Sequence, residues 1–370
     1  MRTKKKNRKG WPMVLVLKNK EMAELLPYRE LLERLIGYIE VAFREYGKEV
    51  AVNRPRSRMY IPTKEANTFY WFNNIAGIVP AFRAMALRID SSLAREVLRD
   101  GKRREEYPGD YVGLVLLFDT ETCELLAIMD DHFHSPIRVA ATSAVGSKFA
   151  ARPEAKIMAL FGSGEQARAQ AVAFSLVHKL ERIKVYSPNP ERRKKFADSI
   201  QPEVSCAVTA VDSAEEALQG SDIVNAATNS SDPIFDGGLL EPGMHVTTIV
   251  GGDYRSKRDE IDPATYLRAR TIIVNTRVQV EQDRQGNLYE LVQNGRLRWE
   301  QLQELGEVVT GKARPRHSPD DITLFKNNHG MGIQFAASAR LLYEEARKQG
   351  VGTPLPSELF LTKREGVWSP

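Results

Sequence analysis

The chain has 370 residues, 42% of them apolar and 27% charged, with a formal net charge of +5, which suits a globular protein of about two domains. Residues 1–12 open with MRTKKKNRKG, whose six cations and lack of acids account for more than that charge and leave −1 for the rest. This argues against a basic face for nucleic acid and for a solvated tail. The tail has no apolar core of a secretory signal, no window nears the ~18 apolar residues of a membrane span, and only two distant cysteines occur, Cys123 and Cys206, so a reduced, cytoplasmic setting is expected.

Along the chain, Leu31, Leu32, Leu35, Ile36, Ile39 and Phe43 recur at helical spacing and predict an amphipathic helix over 27–47. NRPRSRMYIP then alternates arginines at 54, 56 and 58 between Pro55 and Pro62, and in extended chain such alternate side chains share a face. From Tyr70 to Met129 the sequence is β-rich. The small-residue stretch IRVAATSAVGSKFAARP reads as a helix ending before Pro153.

From there the pattern repeats strand, helix, strand, helix. AKIMALF, RIKVYS, VSCAV, DIVNAAT, HVTTIV and TIIVN supply six short apolar strands, and Ser213 with Glu216 forms a capping-box pair. Such alternation predicts a parallel sheet covered on both faces. ITLF and the helix IQFAASARLLYEEARKQG lie beyond that count and are expected to return to the first domain. The resulting division is 13–140 with 320–360 as one domain and 141–319 as the other.

Gly162-Ser163-Gly164-Glu165-Gln166-Ala167 matches G-x-G-x-x-A between the first of those strands and a helix. The first glycine permits the turn, the second lets a pyrophosphate approach, and the helix start offers free N–H groups. At the end of the second strand, where an NAD enzyme commonly carries an acid, the chain has Ser187, Asn189, Arg192 and Arg193. With no carboxylate to repel a 2′-phosphate, NADP is favoured over NAD.

Two residues stand out for chemistry. Asp253 follows two glycines beyond HVTTIV, at a strand end where ligands of doubly wound folds gather. Arg138 begins the helix leading into the second domain and offers a planar fork for a carboxylate. His132 and His134, with Asp130 and Asp131, lack a third ligand at a recognisable spacing and read as a polar loop, not a metal site. His329, beside glycine, is placed at a pocket mouth.

IRVAATSAVGSKFAARP, GSGEQARAQ, GMHVTTIVGGD with DEID, and ITLFKNNHGMGIQFAASA, in that order, resemble the ornithine cyclodeaminase/mu-crystallin family over roughly residues 50–350. The resemblance implies a Rossmann-type doubly wound parallel sheet inserted into a second α+β domain for substrate and dimerisation, a homodimer, and NAD(P)-dependent chemistry at the C–N bond of amino acids or cyclic ketimines. It implies that Arg138 and Arg56 bind the substrate carboxylate, with Arg54 and Arg58 as alternatives to Arg56. Asp253 takes the catalytic position and Thr228 lines the cofactor.

Two departures from the family stand out. Arg88 occupies a position where the family has lysine, and the family's Asp after the C-terminal glycine is missing from NNHGMGIQFAA. Arginine stays protonated and makes a poor general base, which favours imine reduction or amino-acid dehydrogenation over deaminating cyclisation. Ornithine cyclodeaminase and a non-catalytic NADP(H)-dependent binding protein remain the alternatives.

Overall fold

The structure is a computed structural model in which residues 13–99, 102–255 and 258–362 are described; the basic segment 1–12 lies outside them. Two sheets organise the chain. The first has nine strands, running Thr353–Pro356, Met13–Leu17, Leu125–Asp130, Val112–Asp119, Ala84–Arg99, Thr68–Val79 and Val52–Asn53, with Ser57–Pro62 also paired to Thr68–Val79 and Lys102–Glu106 to Ala84–Arg99. Its pairings are antiparallel except that between Met13–Leu17 and Leu125–Asp130.

One face of this sheet is covered. Helix Tyr28–Gly47 buries Leu31, Leu32, Leu35, Ile36, Ile39 and Phe43, the stripe its spacing demands, and it packs with helices His134–Ala150 and Gly332–Gln349.

The second sheet has eight strands, all parallel, in the order Ala207–Ala210, Arg182–Tyr186, Ile157–Phe161, Ile223–Ala226, His245–Thr248, Thr323–Lys326, Thr271–Val274 and Leu302–Glu304. This is the doubly wound arrangement, and the order reverses between Ile157–Phe161 and Ile223–Ala226, where a crevice opens.

ITLF breaks the expectation that it returns to the first domain. Thr323–Lys326 lies inside the parallel sheet, between His245–Thr248 and Thr271–Val274. All four of its residues are buried, as a central parallel strand requires. The chain goes back to the first sheet only after it, through helix Gly332–Gln349.

Helix His134–Ala150 joins the two sheets. Ala140, Ala141, Ser143, Ala144 and Ser147 are buried within it, and it touches helix Glu165–Val177, strand Thr323–Lys326 and helix Tyr28–Gly47. Only small side chains allow that many close neighbours. No helix among the described residues is long and apolar enough to cross a membrane.

Candidate active site

The glycine turn forms one wall of a groove of about 1010 Å³ at the C-terminal end of the parallel sheet. Gly162 has φ +121, and a Cβ there would fall 2.4 Å from the Ala227 carbonyl oxygen, so glycine is required twice over. Gly164 has nothing within 4 Å of its Cβ position, leaving room for a phosphate. It precedes helix Glu165–Val177 with no side-chain cap, so the first N–H groups of that 13-residue helix face the groove.

Gly162, Ser163, Gly164, Glu165, Gln166, Ser187, Arg192 and Thr228 line this space. Ala167 and Asn189 lie behind it. Ala167 is fully buried beneath Gly162, and Asn189 caps helix Pro190–Ile200 by accepting from Arg192 N at 2.8 Å. Arg193 turns away to pair with Asp212. The buried Ser187 hydroxyl finds no partner among the described residues. An uncapped helix start, a glycine that must stay bare and an orphaned hydroxyl together fit a dinucleotide.

Beside the groove, four arginines and four aspartates converge. Arg58 and Tyr60 share one face of strand Ser57–Pro62, and Arg56, just before it, reaches the same Asp283 as Arg58; Arg54 is exposed. Arg56 donates from Nη2 to Asp283 Oδ2 at 3.0 Å. Arg58 Nη1 lies 3.0 Å from Asp253 Oδ2 and 3.1 Å from Asp283 Oδ1. Asp253 also accepts from the Tyr60 hydroxyl at 2.9 Å and from Arg255 N at 2.9 Å. Burial and the neighbouring Asp253 raise the Tyr60 phenol far above its usual range, with Arg58 opposing.

Arg88 is held between two acids, donating from Nε to Asp131 Oδ2 at 2.7 Å and from Nη2 to Asp90 Oδ2 at 3.1 Å. Tyr111 donates to the other Asp131 oxygen at 2.9 Å.

Arg138 differs from the other three. It is half-buried and donates to Gln334 Oε1 at 3.0 Å, its guanidinium lies 5.1 Å from the Phe335 ring centroid, and no carboxylate among the described residues pairs with it. A Cβ on Gly330 would stand 3.1 Å from its Cζ. Burial, then the charges of Arg88 and Arg56, push its pKa down to about 9. The charge of Asp131 opposes the shift, but no acid among the described residues pairs with Arg138.

The histidine and acid group at 130–134 disperses. His134 is buried against the Ser338 hydroxyl at 2.8 Å, Asp131 serves Arg88, Asp130 accepts from Asn19 N, and His132 lies 3.7 Å from Glu165. His329 is buried, its carbonyl held by Asn275 Nδ2 at 2.7 Å.

The sequence profile of the ornithine cyclodeaminase/mu-crystallin family matches residues 22–350. The chain belongs to that family. It is 28% identical over 344 residues to the Delta(1)-pyrroline-2-carboxylate reductase of Bacillus cereus strain ATCC 10987, covering 92% of this chain and 98% of that one. It is 27% identical over 314 residues to the ketimine reductase mu-crystallin of Rattus norvegicus, covering 84% and 91%. The Delta(1)-pyrroline-2-carboxylate reductase of Thermococcus litoralis, solved with NADH and L-proline, superposes with a TM-score of 0.77 at 28% identity, over 92% of this chain and all of that one. The chain is therefore a nicotinamide-dependent oxidoreductase of the imine reductase and cyclodeaminase kind.

Sequence reasoning missed one organising residue of this family member. Glu260 is fully buried. Its Oε2 accepts from Thr228 N at 3.0 Å and Thr228 Oγ1 at 2.7 Å. Its Oε1 accepts from Thr248 Oγ1, Ile249 N and Val250 N at 2.8, 2.9 and 3.1 Å. One carboxylate thus ties the groove loop at Thr228 to the loop leading to Asp253. In sequence, DEID looks like any acidic turn. Tyr60 was within reach, since it continues the alternation of Arg54, Arg56 and Arg58.

Proposed function

We propose that this protein reduces the C=N bond of imino acids, cyclic ketimine carboxylates above all, to the corresponding amino acids. The observation that carries the reading is the charge pattern. Three arginines share four aspartates, and Arg138 alone has none. A ligand with one carboxylate and one protonated imine balances both sides, its carboxylate on Arg138 with Arg56 at its flank, its nitrogen toward Asp253. Buried guanidinium–carboxylate bonds are among the strong ones and fix orientation.

A nicotinamide dinucleotide in the groove supplies the hydride. Asp253, anchored by Arg58 and Tyr60, stands where a proton must reach the nitrogen. Arg88 is paired with Asp131 and Asp90, and a guanidinium makes a poor general base. Ammonia-releasing cyclisation needs a group that gives up a proton at that place, which disfavours a cyclodeaminase.

For the nucleotide, Arg192 in the groove and the lack of an acid beside Ser187 support NADPH over NADH. For assembly, Leu87, Ile89, Leu114, Leu116 and Ile128 alternate with the buried positions of the first sheet and stay partly exposed. A second copy covering this apolar face would make the homodimer, which sedimentation equilibrium tests.

The deciding experiment follows reduced-nicotinamide absorbance with Δ1-pyrroline-2-carboxylate and Δ1-piperideine-2-carboxylate. Oxidation of the nucleotide with formation of proline and pipecolate is expected. Tight nucleotide binding without turnover of any imine overturns the reading in favour of a binding protein, and ammonia release from ornithine overturns it in favour of cyclodeamination.

A further inference from the structure

His329 stands three residues after strand Thr323–Lys326, at the C-terminal edge of the parallel sheet. The residue is 5% exposed, and neither Nδ1 nor Nε2 finds a hydrogen-bond partner among the described residues. Its placement is firmly fixed. Asn275 donates to its carbonyl, Asn328 accepts from Asn275 N at 2.8 Å and donates to Gln285 Oε1 at 3.0 Å, and Gln285 donates back to the Asn328 carbonyl at 3.0 Å. Next in the chain is Gly330, whose backbone abuts the Arg138 guanidinium.

The ring lies within the field of Arg56, Arg138 and Arg58. Burial first, and then those three charges, hold its pKa well below 6.5. It is therefore a neutral imidazole with one N–H donor and one bare nitrogen. Buried polar atoms without partners cost free energy, and a pair on one ring calls for a ligand. Its surroundings narrow the ligand. Asp253 and Asp283 already accept from Arg58, Tyr60 and Arg56, whereas the bare imidazole nitrogen is an acceptor that no described donor uses.

We propose that His329 is a specificity-determining residue that touches the substrate: its bare nitrogen accepts from the substrate N–H while Arg138 holds the carboxylate. The proposal rests on reading the cluster as an amino- or imino-acid site. It assigns to His329 the discrimination between ligands that carry an N–H beside the carboxylate and those with oxygen in its place.

The test is calorimetric titration of the full chain, saturated with NADP+, with L-proline and with tetrahydrofuran-2-carboxylate, its isostere lacking the N–H. Wild type should prefer L-proline by at least about tenfold, the size of one good hydrogen bond to a charged group. His329→Leu should cut that preference by about tenfold by weakening L-proline alone, leaving what Asp253 contributes, and His329→Gln should keep more of it. Imidazole nitrogen NMR signals of His329 in the wild type should shift with L-proline and not with the isostere, which covers a variant that fails to fold. Equal ratios in wild type and His329→Leu, or signals that ignore both ligands while both bind, overturn the assignment. A wild-type chain that binds nucleotide but neither ligand overturns the amino-acid reading of the site instead.

Discussion

Arg58 lies 3.0 Å from Asp253, across the cleft between the antiparallel sheet and the loops of the parallel one. Both side chains are 7% exposed, and Arg58 also reaches Asp283. The pair thus does two things at once: it anchors the carboxylate proposed to serve the reacting nitrogen, and it bolts one wall of the cleft to the other.

Removing Arg58 leaves two buried acids short of a cation, and breaking a buried pair from one side typically costs about 3–5 kcal/mol. Arg58→Ala is expected to lower stability by an amount of that order in urea titrations. Arg58→Ala combined with Asp253→Asn should lose clearly less than the sum of the two single changes, since the stranded charge is gone. Additive losses would show that the two side chains do not depend on each other.

Arg138→Ala should separate substrate from nucleotide. Loss of a buried, hydrogen-bonded charge partner is worth about 2–5 kcal/mol in binding, so KM for the imino acid should rise at least about thirtyfold. Nucleotide affinity should stay within about twofold, because Arg138 is not among the groove residues. Arg138→Lys should restore little, as an ammonium lacks the planar fork. Equal loss of both ligands would contradict the separation.

Nucleotide choice should turn on residues 187 and 192. Ser187→Asp places a carboxylate at the end of strand Arg182–Tyr186, and Arg192→Ala removes the exposed cation in the groove. Each should shift the NADPH/NADH ratio of kcat/KM toward NADH by about fivefold or more, roughly 1 kcal/mol. A ratio that ignores both changes would remove the 2′-phosphate argument.

Acid should unfold the protein through its histidines. Burial pushes His134 down to about 3 and His178 to about 4, and holds His245 well below 6.5. The unfolded chain takes up these protons near 6.5 and the folded chain does not. The stabilisation is therefore complete above about pH 6.5 and is lost as pH falls toward 4, at about 1 kcal/mol per pH unit for each histidine. Thermal melts from pH 7 to 4 should show this slope. His178→Gln, which can keep the bond to Ser147, should flatten it.

What the sequence reveals here is local. The helix Tyr28–Gly47, the glycine turn and the helix carrying Arg138 follow from spacing and residue type, and each forms where its pattern demands. Ser213 does cap its helix, accepting from Glu216 N at 3.1 Å, although the Glu216 carboxylate turns to Asp212 N. The place of Thr323–Lys326 in the sheet was not legible, because order among parallel strands is set by how crossovers pack and not by the strand's own residues. The partners of Arg58 were hidden for a related reason, since Asp253 and Asp283 come from distant loops that only the fold brings together. A buried glutamate such as Glu260 carries no mark in sequence at all; its meaning lies in five donors from elsewhere.

Glu260 divides the protein into what can be retuned and what cannot. In the proposed assignment, residues 187 and 192 face the nucleotide at one end of the cleft, and 56 and 329 face the imino acid at the other. Glu260 serves both ends through the same two oxygens. Any redesign of this scaffold for a new imine or a new nucleotide has to be built around position 260, never through it.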